Sequence, residues 1–254
     1  MLHNQTVYLS MVRKLSFFLL FCLVAYRISA QADISGADFE KGWNAGLLAH
    51  TGGLGVMAEF TKQNTFKNGR IFDFDFYSLR DPKEISLGNQ NYPNARPYVY
   101  GQLNSVYVLK MQIGIRHVIV NKERESGVKI NYTMAGGPVI AFLKPDYYDV
   151  LSIGPDGQAN VISEEFNPAT MQSQDNIEGA SAFSKGLNQI SLLYGVGGKA
   201  SLNFEWGKYP SRFYSFETGV LIDAFPEDVP IFAYIKNKPV FVNLFLSIAF
   251  GGRY

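Results

Sequence analysis

The chain has 254 residues with 23 basic and 22 acidic side chains, and this balance gives no electrostatic basis for binding nucleic acid. A single cysteine excludes an intramolecular disulfide and a zinc site built from several thiolates. Beyond the first 32 residues, no apolar run approaches the 20 or so residues that a membrane-spanning helix requires.

Residues 11–32 have the three-part layout of a secretory signal peptide. Two basic residues precede an apolar stretch, 15–26, that is too short to span a membrane, and small residues follow around Ala30 and Ala32. Cys22 lies within this stretch, and the bulky Phe21 before it argues against a lipoprotein cleavage site. We predict that residues 1–32 are a signal peptide, cleaved after Ala30 or Ala32, with Met11 as an alternative start. The mature chain then has no cysteine and 20 basic against 22 acidic residues.

Eight segments with period-two alternation occupy the rest of the chain. In each segment apolar side chains alternate with polar or small ones; Phe72, Phe74 and Phe76, for example, alternate with Asp73 and Asp75. The predicted strands are 42–50, 53–62, 69–79, 104–119, 127–143, 190–206, 211–224 and 241–254. Eight such segments in succession predict an all-β fold, a single antiparallel up-and-down transmembrane β-barrel, because a membrane protein without helical spans must close its backbone hydrogen bonds in a barrel.

The connections between these segments alternate between short and long. The long ones lie near 80–104, 144–188 and 225–239, as expected for extracellular loops, whereas short ones suit periplasmic turns. Only the first outer connection, HTGG, breaks the alternation. Residues 33–254 are therefore predicted to form one barrel, with ten strands as the alternative if part of 144–188 joins it.

The final segment, FVNLFLSIAFGGRY, is typical of the strand that closes an outer-membrane barrel. One of its faces is mainly apolar and ends in an aromatic residue: Leu246, Ile248, Phe250, Gly252 and Tyr254. We expect this strand to engage the barrel-assembly machinery. The outward faces of all strands are expected to contact outer-membrane lipid and lipopolysaccharide.

The opposite faces must then fill the lumen, since eight strands enclose room for side chains and not for a water channel. Buried charges need partners, so we predict an interior ion-pair network that closes the barrel. Its members are Glu59, Asp73, Asp75, Lys110, Arg116, Lys129, Lys199, Glu205, Glu217 and Arg253. The alternative is a narrow channel for ions or small solutes along these charges.

Aromatic and glycine residues add two structural predictions. Aromatic side chains near strand ends suit interfacial girdles: Trp43, Tyr98, Tyr100, Tyr147, Tyr148, Trp206, Tyr209, Phe225 and Tyr254. The glycines of TMAGG and GVGG are interpreted as bending strands around the barrel, because neither motif continues as a phosphate-binding loop does.

The sequence predicts no catalytic, cofactor-binding or metal-binding residue. Beyond the signal peptide the histidines are His50 and His117, at opposite ends of the predicted barrel, so they cannot share a site. A surface lipid-modifying enzyme that uses His50 with Thr51 and a loop carboxylate is the least favoured hypothesis. The acid-rich loop 144–188 lacks EF-hand spacing.

Three stretches, HTGGLGVMAEF, RIFDFDF and the terminal FVNLFLSIAFGGRY, resemble small outer-membrane β-barrels of the OmpA/OmpX type. They are also similar to uncharacterised outer-membrane barrel proteins of Bacteroidota. The resemblance implies a porin-like barrel in the outer membrane of a Gram-negative bacterium, and it implies no reaction or catalytic residue. We therefore expect a non-enzymatic barrel whose surface loops bind a partner protein, a lipid or a surface component, or scaffold an assembly.

Overall fold

A computed structural model describes residues 41–254 except 66, 82–83, 90–94, 122–126, 154–157, 168–170, 172–176 and 208–210. The predicted signal peptide, residues 1–32, lies outside the described residues. No helix in the described part of the chain is long and apolar enough to cross a membrane.

The described residues form β-strands and one short 3-10 helix, Leu187–Gln189. The strands in chain order are β1 (Lys41–His50), β2 (Gly53–Gln63), β3 (Asn68–Leu79), β4 (Ser86–Leu87), β5 (Tyr98–Val99), β6 (Asn104–Val120), β7 (Lys129–Pro145), β8 (Tyr147–Ile153), β9 (Ala159–Glu165), β10 (Ile177–Ala180), β11 (Ser191–Trp206), β12 (Arg212–Ala224) and β13 (Val240–Arg253).

Eight of these strands form a closed antiparallel barrel in the order β1-β13-β12-β11-β7-β6-β3-β2. The first and last strands close it: Gly42 opposes Arg253 and His50 opposes Phe245. Lys41 and Tyr254 extend this pairing by exchanging two backbone hydrogen bonds of 3.0 and 2.9 Å. The predicted eight-stranded up-and-down barrel is confirmed, and each predicted strand ends within two residues of the observed one.

The ten-strand alternative is wrong. Part of the region 144–188 does form strands, but β8 pairs with β9 and β10 in a separate three-stranded sheet. The barrel offers this sheet no free edge, because β1 and β13 already close it.

The pleat of the barrel strands separates apolar from polar side chains as the sequence pattern predicts. On β3, Phe72, Phe74 and Phe76 point outward with 41–45% exposure, whereas Asp73 and Asp75 are fully buried in the lumen. On β13, Leu246, Ile248, Phe250 and Tyr254 are exposed, and Gly252 lies between them on the same face. The outer wall is therefore an apolar band of the kind that faces hydrocarbon in transmembrane barrels.

The two ends of the barrel differ in their connections. The end that carries the short connections 64–67, 121–128 and 207–211 is called the inner end here, and the opposite end, with the connections 80–103, 146–190 and 225–239, is the outer end. The first outer connection is a two-residue turn, and Gly53 after it has a φ of 151°, a conformation that L-residues with side chains rarely adopt.

The long outer connections fold together into an outer cap. It contains the two-stranded sheet β4–β5, the three-stranded sheet β10-β8-β9 and its own apolar cluster. The buried members of that cluster are Tyr98, Tyr148, Phe166, Met171 and Ile177. Because the cap has a core of its own, it presents a shaped surface above the barrel.

Candidate functional site

The middle of the lumen is occupied by three carboxylates that share one ammonium group. Lys199 Nζ lies 3.0 Å from Asp73 Oδ2, 3.6 Å from Glu217 Oε1 and 3.9 Å from Asp75 Oδ2. These residues belong to β3, β11 and β12, and the Lys199 side chain has no exposed surface. The Ser201 hydroxyl donates to Glu217 at 2.5 Å. This cluster crosses the lumen and leaves β3 tied to strands on the opposite wall.

A second ion-pair cluster lies nearer the inner end. Arg116 Nη2 is 2.6 Å from Glu59 Oε2, and its Nη1 is 3.7 Å from Glu205 Oε1. Arg253 forms a further ion pair with Glu205 and stacks over the Phe213 ring at 4.4 Å. Neutral donors complete the coordination of the carboxylates: Asn44 and Thr61 donate to Glu59, and Asn131 donates to Glu205.

A third cluster lies nearer the outer end. Lys110 Nζ is 2.9 Å from Asp223 Oδ1, and the Tyr77 hydroxyl donates to Asp223 Oδ2 at 2.5 Å. A Cβ at Gly197 would lie 2.9 Å from Lys110 Cε and 2.6 Å from Val139 Cγ2, so this glycine makes room for the lysine side chain. Gly197 of GVGG thus has a packing reason beyond the predicted bending of the strand.

The structure brings the predicted lumen residues together, and the ion pairs described above join nine of them. Lys129 is half-buried at the inner end, where it lines a pocket of about 20 Å³ with Arg116, Glu205 and Arg253. The sequence reasoning missed Asp223 as a member, although the alternation places it on the polar face of its strand. Its partner Lys110 lies on β6, three positions away around the barrel, and no sequence signal reports that proximity.

The outer end of the lumen also contains an apolar cluster. Leu48, Leu79, Val108, Leu143 and Phe245 belong to a buried cluster that also includes residues of the connection after β12. This connection, residues 225–239, is named the plug loop, and it contributes Phe225, Val229, Ile231 and Phe232 to the cluster. The lumen is therefore occupied by charged side chains along most of its length and by an apolar cluster at its outer end.

Hydrogen bonds hold the plug loop in place. The side-chain oxygen of Asn237 accepts from the backbone N–H groups of Ile231 and Phe232, and its amide donates to the Phe232 carbonyl at 3.0 Å. Asn104 at the start of β6 donates to the Pro230 carbonyl at 2.8 Å. The plug loop is thus fixed both by its own asparagine and by the barrel wall.

An outer groove of about 560 Å³ opens where the cap meets the barrel. The side chains that define it combine two bases, one acid and aromatic walls: Arg96, Tyr98, Lys144, Asp146, Tyr147 and Phe183. Lys144 is almost fully buried, lies 3.6 Å from Asp146 Oδ1 and places its ammonium 5.2 Å from the centre of the Phe183 ring. The groove therefore offers charges of both signs beside aromatic faces.

The floor of the outer groove is hydrogen-bonded to the barrel. The Ser105 hydroxyl lies 2.8 Å from Asp146 Oδ1, and the Asp146 N–H donates to the Leu103 carbonyl at 3.0 Å. Burial raises the pKa of the Asp146 carboxyl, and the hydrogen bond from Ser105 and the Lys144 ammonium oppose that rise in part. Tyr148 anchors the adjoining wall, since its hydroxyl lies 2.7 Å from the Val99 carbonyl.

His50, the candidate base of the enzyme hypothesis, has a structural role in the first outer turn. Its Nδ1 accepts from the Gly52 N–H at 3.1 Å, so its Nε2 carries the proton and donates to the Ser78 carbonyl at 3.1 Å. The Thr51 hydroxyl donates to Asn243 at 2.8 Å and not to the imidazole. Both ring nitrogens are thereby engaged, which leaves no free basic nitrogen for catalysis.

The prediction of interfacial girdles is wrong for part of the aromatic set. Tyr98, Tyr148 and Phe225 are buried in the outer cap and the plug loop, because these connections fold back over the barrel. Trp43, Trp206 and Tyr254, near the inner end, are exposed with values of 39, 42 and 76%. Tyr209 lies outside the described residues.

Within the described part of the chain, no group of three or more His, Cys, Asp and Glu residues is arranged to hold a metal ion. The lumen carboxylates are instead occupied by lysine and arginine. The predicted absence of cofactors stays a prediction.

Comparison with known proteins gives structural likeness at very low sequence identity. No family model and no curated protein sequence matches the chain. Ail, the attachment invasion locus protein of Yersinia pestis, has a TM-score of 0.40 and 9% identity over 86% of this chain and 100% of Ail. Neisserial surface protein A has a TM-score of 0.40 and 8% identity over 86% and 98% of the two chains. The outer membrane protein OprG of Pseudomonas aeruginosa has a TM-score of 0.38 and 8% identity over 85% and 96%.

Proposed function

We propose that the protein is a non-enzymatic β-barrel of the outer membrane of a Gram-negative bacterium, and that its outer cap binds a polar surface component in the outer groove. The observation that carries this proposal is the contrast between a filled lumen and a folded outer surface. A barrel whose lumen is filled by side chains and whose outer connections form a folded cap is suited to binding through that cap.

The membrane location is supported by the outward band. Large apolar side chains on the barrel strands are 40–70% exposed, among them Leu47, Phe60, Ile113, Leu192 and Ile248. In water this band would be a liability, because monomeric soluble proteins rarely expose contiguous apolar patches larger than a few hundred Å². In a bilayer the same apolar side chains contact the hydrocarbon of the lipids and are not exposed to water.

The ligand class follows from the chemistry of the outer groove. Arg96 is exposed and Phe183 is 63% exposed, so a cation and an aromatic face are available at the groove together. Aromatic faces pack against the apolar faces of sugars, and a guanidinium forms bidentate hydrogen bonds with phosphate or carboxylate groups. An anionic oligosaccharide of the cell surface combines these features.

The test uses the refolded protein in detergent with delipidated core oligosaccharide of lipopolysaccharide as the probe, followed by saturation-transfer NMR. Arg96→Gln and Phe183→Ala are expected to weaken binding about tenfold each, the effect of losing one charge-assisted or aromatic contact. Lys236→Gln is the matched control, because Lys236 is an exposed base of the plug loop that lies outside the groove. This variant should bind as the native chain does. Unchanged affinity in both groove variants, or no binding by the native chain, would contradict the proposal.

The channel alternative makes the opposite prediction in planar bilayers. We expect no conductance from the refolded protein, because Lys199 and its three carboxylates cross the lumen below an apolar plug. Steady single-channel currents would show that a path through these residues exists and would favour the channel.

A further inference from the structure

The outward charges of the barrel strands are all basic. Every carboxylate on these strands points into the lumen, as the burial of Glu59, Asp73, Asp75, Glu205, Glu217 and Asp223 shows. Four bases near the inner end point outward and are exposed: Lys41, Lys62, Arg70 and Arg212. The other outward base, Lys144, lies at the outer end and is covered by the cap.

Three of the exposed bases stand side by side. Lys41 opposes Lys62 in the pairing of β1 with β2, and Lys62 opposes Arg70 in the pairing of β2 with β3. These three residues are named the cation row. Side chains directly opposed on neighbouring strands have Cβ atoms about 5 Å apart, where like charges destabilise one another.

No described carboxylate relieves this repulsion. Within the described residues, none lies within 4 Å of a nitrogen of the cation row, although such pairs are frequent inside the barrel. Three adjacent positive charges at the rim of a lipid-facing wall create a local positive potential that attracts an anionic group.

The row directly above consists of aromatic side chains. Trp43 opposes Phe60, and Phe60 opposes Phe72, on the same three strands. All three are exposed, with values of 39, 51 and 45%. Residues two apart on a strand are separated by about 7 Å, so the cations lie just beyond the apolar band, at the depth of lipid headgroups.

We propose that the cation row binds the phosphate group of an anionic phospholipid in the inner leaflet of the outer membrane. The phosphate would lie against Lys62 and accept hydrogen bonds from its two neighbours, while the acyl chains run along Trp43, Phe60 and Phe72. Arg70 offers two parallel N–H donors, a geometry that matches phosphate oxygens. The inference rests on the membrane location proposed above and is independent of the outer groove.

The test uses Trp43 as a local reporter. In a Trp206→Phe background, which leaves Trp43 as the one tryptophan of the chain, the protein is refolded into phosphatidylcholine vesicles containing a minor fraction of phosphatidylglycerol. Bromine is placed on the acyl chains of one lipid or the other, and the quenching of Trp43 fluorescence reports which lipid is its neighbour. We expect phosphatidylglycerol to be enriched about fivefold or more beside Trp43, given the attraction of three clustered bases for an anionic headgroup.

Three variants separate the cation row from general surface charge. Substituting glutamine for Lys41, Lys62 and Arg70 together should reduce the enrichment to about onefold, and Lys62→Gln alone should reduce it part of the way. Lys236→Gln is the matched control, because it removes an exposed base from the plug loop at the opposite end of the barrel. Its enrichment should equal that of the unsubstituted background.

The possible failures are distinct. Equal quenching by both brominated lipids would overturn the lipid site while leaving the membrane location intact, whereas the absence of quenching by either lipid would overturn both. A site for free phosphate is distinguished by adding excess inorganic phosphate at constant ionic strength. Loss of the enrichment under that condition would assign the row to a soluble anion and overturn the lipid proposal.

Discussion

Replacing Lys199 by methionine should destabilise the barrel more than any other single loss of charge. The ammonium has no exposed surface and is the cation shared by Asp73, Asp75 and Glu217, at 3.0 to 3.9 Å. Six inward carboxyl groups are matched by four bases in ion pairs and the half-buried Lys129, so no spare base can take its place. Methionine keeps most of the side-chain volume, which confines the change to charge.

Removing one partner of a buried ion pair costs about 3–5 kcal/mol, because it leaves an uncompensated charge away from water. For Lys199→Met that corresponds to a decrease of about two to four orders of magnitude in the ratio of folded to unfolded protein. The free energy of unfolding is measured by guanidinium titration in phospholipid vesicles, with the fluorescence of Trp43 and Trp206 as the signal.

Two comparisons make this measurement decisive. Lys185→Met removes an exposed loop lysine and should change the free energy of unfolding by less than about 0.5 kcal/mol. Adding Asp73→Asn to Lys199→Met removes one of the stranded charges and should recover part of the loss. If Lys199→Met costs less than about 1 kcal/mol, the value typical of exposed pairs, the lumen is more hydrated than its geometry implies and the reasoning is refuted.

Three further predictions concern the plug loop, the outer groove and the glycine beside Lys110. Asn237→Ala should loosen the plug loop, since two backbone N–H groups and one carbonyl lose their partner, and amide hydrogen exchange in residues 225–239 should accelerate about tenfold or more. Asp146→Asn should remove a pH dependence of cap stability. A carboxyl whose pKa is raised in the folded state stabilises the cap below its ordinary pKa of 3.8 and loses that contribution as the pH rises through the raised value. After correction for intrinsic rates, amide exchange in β8 should therefore be slower at pH 4 than at pH 7 only in the native chain. Gly197→Ala should cost about 1–3 kcal/mol, because its Cβ would overlap the Lys110 side chain, and this is measured by the same unfolding titration.

Each of these predictions has its own control and a result that opposes it. Gly198→Ala meets no atom closer than 3.7 Å, so equal stability loss at Gly197 and Gly198 would argue against the packing explanation. For Asn237→Ala, exchange in β13 serves as the internal reference, and uniform acceleration would indicate global destabilisation. For Asp146→Asn, an unchanged difference between the two pH values would assign the effect to another group.

The architecture could be predicted from sequence because a barrel strand has the shortest structural repeat. Alternation such as Phe72-Asp73-Phe74-Asp75 determines which side of the wall each side chain takes, and eight such segments with alternating connection lengths leave few topologies. The same alternation assigned the predicted lumen residues to the inward faces of their strands, where ion pairs form.

The partners of those residues could not be predicted, because they depend on the curvature and shear of the closed wall. Asp223 meets Lys110 across the lumen, and Tyr77 donates to the same carboxylate from a third strand. The position of an aromatic residue near a strand end did not show whether it would lie in an interfacial girdle or in the core of the outer cap. Tyr98 and Trp43 are both aromatic residues near strand ends, but Tyr98 is buried and Trp43 is exposed.

By itself the amino-acid sequence determined the barrel class, the order of its eight predicted strands along the chain and the face of each side chain, since these follow from a local period and the length of the connections. Only the tertiary structure decided that the strands of 144–188 stay outside the barrel, which charges meet across the lumen, and that three lysine and arginine side chains form one row on the outer wall. It also decided that the plug loop covers the outer end of the lumen. These features join residues distant in sequence, and their distances are set by the closure of the barrel.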